Sequence, residues 1–240
     1  MIESLQNDKI KKYTKLNDKK YRDETNMFIA PGKHLVNEAL KRGIVVEVFL
    51  LFGEANIYGE VTFTNSEVLK KLSHLTSAPK VLAICKKITP AEIKGNILIL
   101  DNISDPGNLG TIIRSAICFN YETLILSPNT VDVYNPKVIR ATEGMLFNIN
   151  VIIKDILEVI PILKKDNYLI YSTDLKKESN EILKTKHALI IGSEANGIKP
   201  EILKLCHKNI KIKMNPKCES LNAAVAASIL MHKLNGGEVL

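Results

Sequence analysis

Between residues 33 and 85 the chain switches repeatedly between two hydrophobic periods. KHLVNEALKR (33–42) spaces its apolar residues as a helix does, whereas VVEVFLL (45–51) and VLAIC (81–85) are short apolar, β-branched runs that read as strands. VTFT (61–64) is a shorter strand, and Thr64 with Glu67 fits a capping box opening the helix EVLKKLS. Ahead of these, residues 1–22 are polar and Lys-rich. Their sparse apolar positions, Leu5, Ile10, Tyr13 and Leu16, suit a surface helix with one weak stripe. The pattern predicts a small domain over residues 1–85, and the polar segment KKITPAEIKGN (86–96) reads as a connection.

A second alternation fills residues 97–240. ILILD (97–101), TLIL (123–126), NVII, YLIYS and ALIIG read as strands. A helix is expected to start near Asn108. NPKVIRATEG (135–144) and DILEVIPILKK supply two more, and SLNAAVAASILMHKL (220–234) gives a last helix ending at Gly236 and Gly237. Strands alternating with helices predict an α/β fold with a parallel sheet and ligands at the C-terminal ends of its strands.

Composition narrows the class. With 240 residues, 45% of them hydrophobic, the chain can bury a substantial core. Its longest apolar runs, 44–52 and 223–231, reach about half of the ~18 residues that a membrane-spanning helix needs. The first sixteen residues lack the apolar centre of a signal peptide. Cys85, Cys118, Cys206 and Cys218 are scattered and form no C-x-x-C pair, which suits a reducing, cytoplasmic setting without a metal site. The net charge of +7 favours a polyanionic partner, although charge alone leaves a solvated helix face equally open. Residues 1–95 hold 16 Lys+Arg against 11 Asp+Glu, so the excess lies toward the N-terminus.

Two nucleotide signatures fail. No G-x-G-x-x-G follows the first strand of either domain, and Gly192 to Gly197 has Walker A glycine spacing with Ile198 where the Lys is required. Three other segments place polar residues and glycines just after a strand. In DNISDPGNLGTIIRSA (101–116), Asp105-Pro106-Gly107 is a turn, Asn108 can cap the next helix, and Arg114 needs a partner anion if buried. A structural ion pair is the plain alternative for Arg114. In LIIGSEANGI (189–198), Gly192 would let a ligand approach the backbone and Glu194 follows the strand end, although an ordinary turn reads equally well. In IKIKMNPKCESLNAAVAASILMHKL (210–234), Ser220 or Asn222 caps an Ala-rich helix, which by itself is what any core helix needs.

Together and in this order the three segments resemble one family. Asn108 to Arg114 is similar to its D-P-x-N-x-G-x-x-x-R frame. Gly192-Ser193-Glu194-x-x-Gly197 is similar to its G-S-E-x-x-G, and Ile212-x-Met214 with Ser220-Leu221-Asn222 to its I-P-M and S-L-N. This is the SpoU, or TrmH-like, family of RNA 2'-O-ribose methyltransferases. KYRDETNMFIAPGKHLVNEAL more loosely resembles the family's substrate-binding domain. Three positions depart from the pattern: Lys213 stands for a usual Pro, Pro216 for a usual Gly, and Pro31-Gly32 after Ala30 for a usual Glu-Gly.

The resemblance implies an S-adenosylmethionine site at Gly192, Ile212 and Leu221, with Met214 and Thr173 near by. It also implies a C-terminal trefoil knot and a homodimer. It makes Arg114 the central catalytic residue, with Asn108, Glu194, Ser220 and Asn222 positioning it and the ribose. Lys11, Lys12, Lys19, Arg22 and Lys33 become the candidate RNA contacts, with ribosomal RNA favoured over transfer RNA and no membrane or metal partner. The main alternative is a non-catalytic RNA-binding protein on the same scaffold, against which the intact motif residues argue. Methylation of a base is a second, and the S-L-N segment favours ribose.

Overall fold

The computed structural model describes residues 1–173, 185–193, 197–218 and 220–235. Two compact units result, one of Met1–Thr89 with Asp132–Asn148 and one of Pro90–Val131 with Ile149–Leu240. The chain opens with α1 (Asp8–Thr14), a 3-10 turn and α2 (Lys19–Thr25). It continues through β1 (Met27–Pro31), α3 (Lys33–Lys41), β2 (Val45–Leu51), β3 (Thr62–Thr64), α4 (Ser66–Ser73) and β4 (Val81–Lys86). β5 (Asn96–Asp101), α5 (Pro106–Cys118) and β6 (Tyr121–Leu126) begin the second unit. α6 (Pro136–Ala141) and the 3-10 turn Met145–Asn148 return to the first. β7 (Asn150–Ile153), α7 (Ile156–Lys165), β8 (Leu169–Thr173), β9 (His187–Gly192), α8 (Pro200–Leu203), β10 (Lys208–Ile210) and α9 (Ala223–Leu234) complete the second.

In the first unit the strand order is β1-β4-β2-β3, with β4 antiparallel to both β1 and β2. The sparse apolar residues of the N-terminal segment are core: Ile10, Tyr13 and Leu16 pack with Phe49, Val68, Leu69 and Leu72. β1 is a strand the sequence pattern did not predict. It pairs only with β4, so Pro31 costs no second ladder bond. The expected capping box is displaced by one residue. Asn65 caps α4 by accepting from the Val68 N–H at 3.0 Å, and the Thr64 hydroxyl bonds the Ile2 carbonyl instead.

Residues 132–148 lie within the stretch expected to form the C-terminal domain, yet they belong to the first unit. Arg22 holds them there. Its Nε and Nη2 donate to Asp132 at 3.1 and 2.5 Å, while Nη1 donates to the Leu16 carbonyl at 2.8 Å. Phe28 stacks against Tyr134 and Phe147, with centroids 5.0 and 5.7 Å away. The expected connection 86–96 is also structured on both sides. The Lys87 N–H donates to Asn26 O, whereas Ala91 is held by the Asn150 side chain. The boundary between units therefore falls at Thr89–Pro90.

The second unit carries one parallel sheet, in the order β10-β8-β9-β5-β6-β7. Its central strands are buried on both faces, which is why they read as unbroken apolar runs rather than alternating ones. The chain moves outward from β5 to β7 and then reappears at β8 on the other side of β9. This reversal gathers the C-terminal ends of β5, β8 and β9, where α/β sheets keep their sites.

At the opposite end of β9 His187 is buried between Tyr121 and Thr185. Its Nδ1 lies 2.9 Å from the Thr185 carbonyl and must donate; its Nε2, 2.8 Å from the Tyr121 hydroxyl, must then accept. Burial accordingly lowers the His187 pKa. The unfolded chain takes up this proton first, so the stability His187 contributes is full above the ordinary value near 6.5. It falls as pH drops toward the lowered value, by up to about 1.4 kcal/mol per pH unit. Melting curves from pH 7 to 5 should decline more steeply for the wild type than for His187→Gln; parallel curves would refute this account.

Candidate active site

The first motif is organised by a different cap from the one expected. Asp105 is the N-cap of α5, accepting the Asn108 N–H at 2.7 Å, and Pro106 opens the helix, where a missing N–H is harmless. That leaves the Asn108 side chain for another task. Its Oδ1 accepts from Asn222 Nδ2 at 2.9 Å. Asn222, one of the two expected caps, does cap α9, accepting from the N–H groups of Ala224 and Val225 at 3.0 and 3.3 Å. One residue thus starts α9 and ties the third motif to the first. Farther along, α5 and α9 pack directly, joined by a 2.7 Å bond between Ser115 and Ser228, with Ala223, Ala224 and Ala227 buried. Arg114 is exposed on α5, and among the described residues no ion pair holds it. The alternative of a structural ion pair for Arg114 therefore finds no support. Ser220 is exposed as well, and Glu194 lies outside the described residues.

Gly192 pairs with Asp101 across β9 and β5. The expectation that it leaves room for a ligand needs correcting. A Cβ there would overlap the backbone of Gly197 and Ile198, and Gly197 N–H donates to Ser193 O at 2.9 Å as the chain turns back. Glycine is required by the chain's own return, so any cofactor contact at Gly192 must come through its place at the strand end.

Asp101, the last residue of β5 after its apolar run, carries no sequence signal of a role. It is 1% exposed, accepting from Asn102 Nδ2 at 2.9 Å and from Lys199 N–H at 3.4 Å. It ties the end of β5 to the backbone at Lys199. Burial pushes its pKa up, partly offset by the Lys199 N–H.

Thr173 ends β8 between two neighbours: its hydroxyl donates to Ile190 O at 3.4 Å, and its backbone pairs with Ile210. Ile212, Met214 and Leu221 are half-buried, and among the described residues no backbone hydrogen bond engages them. Apolar side chains beside uncommitted backbone N–H and C=O groups fit an adenosyl group, whose base offers both a flat apolar face and polar edges. Two of the departures from the family pattern lie in this segment. Lys213 is exposed between half-buried neighbours, so it removes no apolar lining. Pro216 sits in a turn headed by Asn215, which accepts from the N–H groups of Lys217 and Cys218 at 2.9 Å, and Pro suits that place.

Of the candidate RNA contacts, Lys11, Lys12, Lys19 and Lys33 are exposed on the first unit, Lys19 beside Asp23 at 2.8 Å. Arg22 is a correction. It is 2% exposed and its three bonds are internal, so its guanidinium is withdrawn from any phosphate at the surface. No group of His, Cys, Asp and Glu among the described residues could hold a metal ion, and no helix is long and apolar enough to cross a membrane.

Comparison with known proteins meets this geometry. The model of the SpoU rRNA methylase family matches residues 95–232, and that of an MRM3-like substrate-binding domain matches residues 7–83. The 23S rRNA (guanosine(2553)-2'-O)-methyltransferase RlmP of Bacillus subtilis is 32% identical, over 98% of this chain and 99% of its own. The mitochondrial rRNA methyltransferase 3 of Mus musculus is 25% identical over 88% of this chain and 68% of its own. Among solved structures, an AdoMet-bound rRNA methyltransferase from Sinorhizobium meliloti is 25% identical, with a TM-score of 0.88 over 100% of this chain and 98% of its own. With a family model spanning more than half its length, and the first and third motif segments joined by the Asn108–Asn222 bond, the chain belongs to the SpoU rRNA methylase family.

Proposed function

We propose that this chain transfers the methyl group of S-adenosylmethionine to a ribose 2'-oxygen in ribosomal RNA. The observation that carries the reading is the Asn108–Asn222 bond, which joins the first and third motif segments through the residue that also caps α9. S-adenosylmethionine supplies an electrophilic methyl group. The chain's own residues must align the hydroxyl with it, stabilise the charge that develops on oxygen as the sulfur–methyl bond breaks, and let the hydroxyl's proton pass to solvent, leaving S-adenosylhomocysteine as the second product. Arg114 acts as a forked donor to the ribose-phosphate and the developing alkoxide, the role its planar guanidinium suits. Asn108 and Asn222 position the ribose, with Ser220 and Glu194 completing the set. Thr173, Gly192, Ile212, Met214 and Leu221 hold the cofactor. Lys11, Lys12, Lys19 and Lys33 on the first unit grip RNA phosphates. The full-length similarity to a relative named for a 23S rRNA guanosine makes large-subunit RNA the substrate of choice over transfer RNA.

A homodimer, a trefoil knot and a cytoplasmic location complete the proposal. Val225 and Ile229, 48% and 41% exposed one turn apart on α9, support a second copy packing there. The passage from β10 at one edge of the sheet back to α9, which packs on α5 and β9, supports a threaded connection. Four free thiols support a reducing compartment.

Calorimetric titration with S-adenosylmethionine tests the function first. Saturable binding is expected, together with loss of one 2'-O-methyl mark from the large-subunit RNA of a deletion strain. A folded protein that binds no cofactor up to millimolar concentration would favour the non-catalytic RNA-binding alternative.

A further inference from the structure

We propose that Tyr21, flanked by Lys15 and Lys20, is a stacking site for one unpaired nucleotide of the RNA. The proposal rests on the RNA-substrate reading above and adds to it a residue that charge alone does not reveal. Lys15 Nζ lies 5.2 Å and Lys20 Nζ 6.0 Å from the centroid of the half-exposed Tyr21 ring. Among the described residues no acid pairs with Lys15, and Glu24 approaches Lys20 only to 4.0 Å. Two ammonium groups therefore lie within about 6 Å of one ring, where an incoming anion can meet them.

The ring also stands on a fixed base. Asp18 caps α2 by accepting the Lys20 N–H at 3.1 Å, and the Thr25 hydroxyl donates to Tyr21 O at 2.6 Å. The next residue, Arg22, is buried and bonded to Leu16 O and Asp132. The backbone beneath Tyr21 is thus locked before any ligand arrives, as a binding platform requires. A base has an apolar face for the ring and phosphates on either side for the lysines. Inside a duplex that face is covered by its neighbours, so the occupant is an unpaired nucleotide in a loop, bulge or end. An acidic peptide would satisfy the lysines but would have no use for the ring.

The test uses the full-length protein with two probes, a ten-nucleotide oligouridylate and a ten-base-pair RNA duplex, read by fluorescence anisotropy. Tyr21→Leu should weaken oligouridylate binding about 5- to 150-fold, the range of one lost stacking contact. It should change duplex binding less than about 2-fold. Tyr21→Phe should keep wild-type affinity for both. Replacing Lys15 and Lys20 by Gln should flatten the dependence of log K on log salt by about 1.4, two phosphates' worth for a single strand. Unchanged melting temperatures would confirm that the variants fold. Equal oligouridylate binding by wild type and Tyr21→Leu, or no binding by either, would overturn the proposal. So would an equal loss on both probes, which would mark the site as a general phosphate contact. Calorimetric binding of S-adenosylmethionine is read on the same samples. Its loss in the wild type counts against the methyltransferase reading, whereas its retention alongside failed stacking counts against the Tyr21 site alone.

Discussion

Arg114→Lys is expected to lower methyl transfer by about 100- to 1000-fold while leaving S-adenosylmethionine binding and the melting temperature unchanged. The magnitude is that of removing one preorganised donor from a developing oxyanion. Arg114 is exposed and no ion pair among the described residues involves it, so shortening the side chain removes little packing. Lysine keeps the charge but presents it as a point, without the planar fork that can hold a ribose hydroxyl and a neighbouring phosphate together. The informative measurement is single-turnover transfer to RNA from a deletion strain, at saturating RNA, beside a cofactor titration. Near-wild-type turnover in the lysine variant would show that charge suffices and that the fork geometry has no role. A loss confined to RNA affinity, with the single-turnover rate intact, would move Arg114 from the reacting atoms to the docking surface.

The elements most legible in the sequence are those whose cause is local. β2 starts and ends where the run VVEVFLL does, and the parallel sheet is visible as apolar runs too short for helices and too continuous for a half-buried sheet. The helix caps at α4 and α5 were each misplaced because adjacent polar residues compete for one role. Asn65 stands beside Thr64, and Asp105, three residues before Asn108, stands ahead of the proline that opens the helix. β1 and β10 escaped because five residues ending in Pro, and three residues in a Lys-rich stretch, carry too little period to count. The motif residues Asn108, Arg114, Gly192 and Asn222 stood out through a family resemblance. Their physical reasons did not: the clash that makes Gly192 obligatory and the side-chain bond that joins Asn108 to Asn222 arise only once distant segments meet. Asp101 looked like the end of a strand, and only its burial beside Lys199 gives it a positioning role.

The contact least visible in the sequence has the largest expected effect on stability. Arg22 appears in a Lys-rich run and reads as one more surface cation, because nothing nearby in the chain announces its partner, 110 residues on. Buried at 3% and 10% side-chain exposure, the Arg22–Asp132 pair is a case where desolvation makes the geometry of both partners matter. Arg22→Ala would leave the Asp132 carboxylate without its counter-charge and the Leu16 carbonyl without its donor. The expected loss is about 3–5 kcal/mol from the first unit. Replacing both residues by apolar ones of similar volume, Arg22→Met with Asp132→Leu, should recover most of that loss, because no unpaired charge is then left inside. The chain has no tryptophan, so urea denaturation followed by far-ultraviolet circular dichroism is the suitable measurement. Hydrogen exchange at β1 and α6 would assign the loss to the first unit. A destabilisation below about 1 kcal/mol for Arg22→Ala, the size of an ordinary surface pair, would mean that this buried pair does not hold residues 132–148 to the first unit. If the loss is as large as expected and the apolar double variant recovers it, the pair's contribution is to fix which unit the segment joins. The position of α6 would then depend on one arginine that charge counting alone would have assigned to RNA.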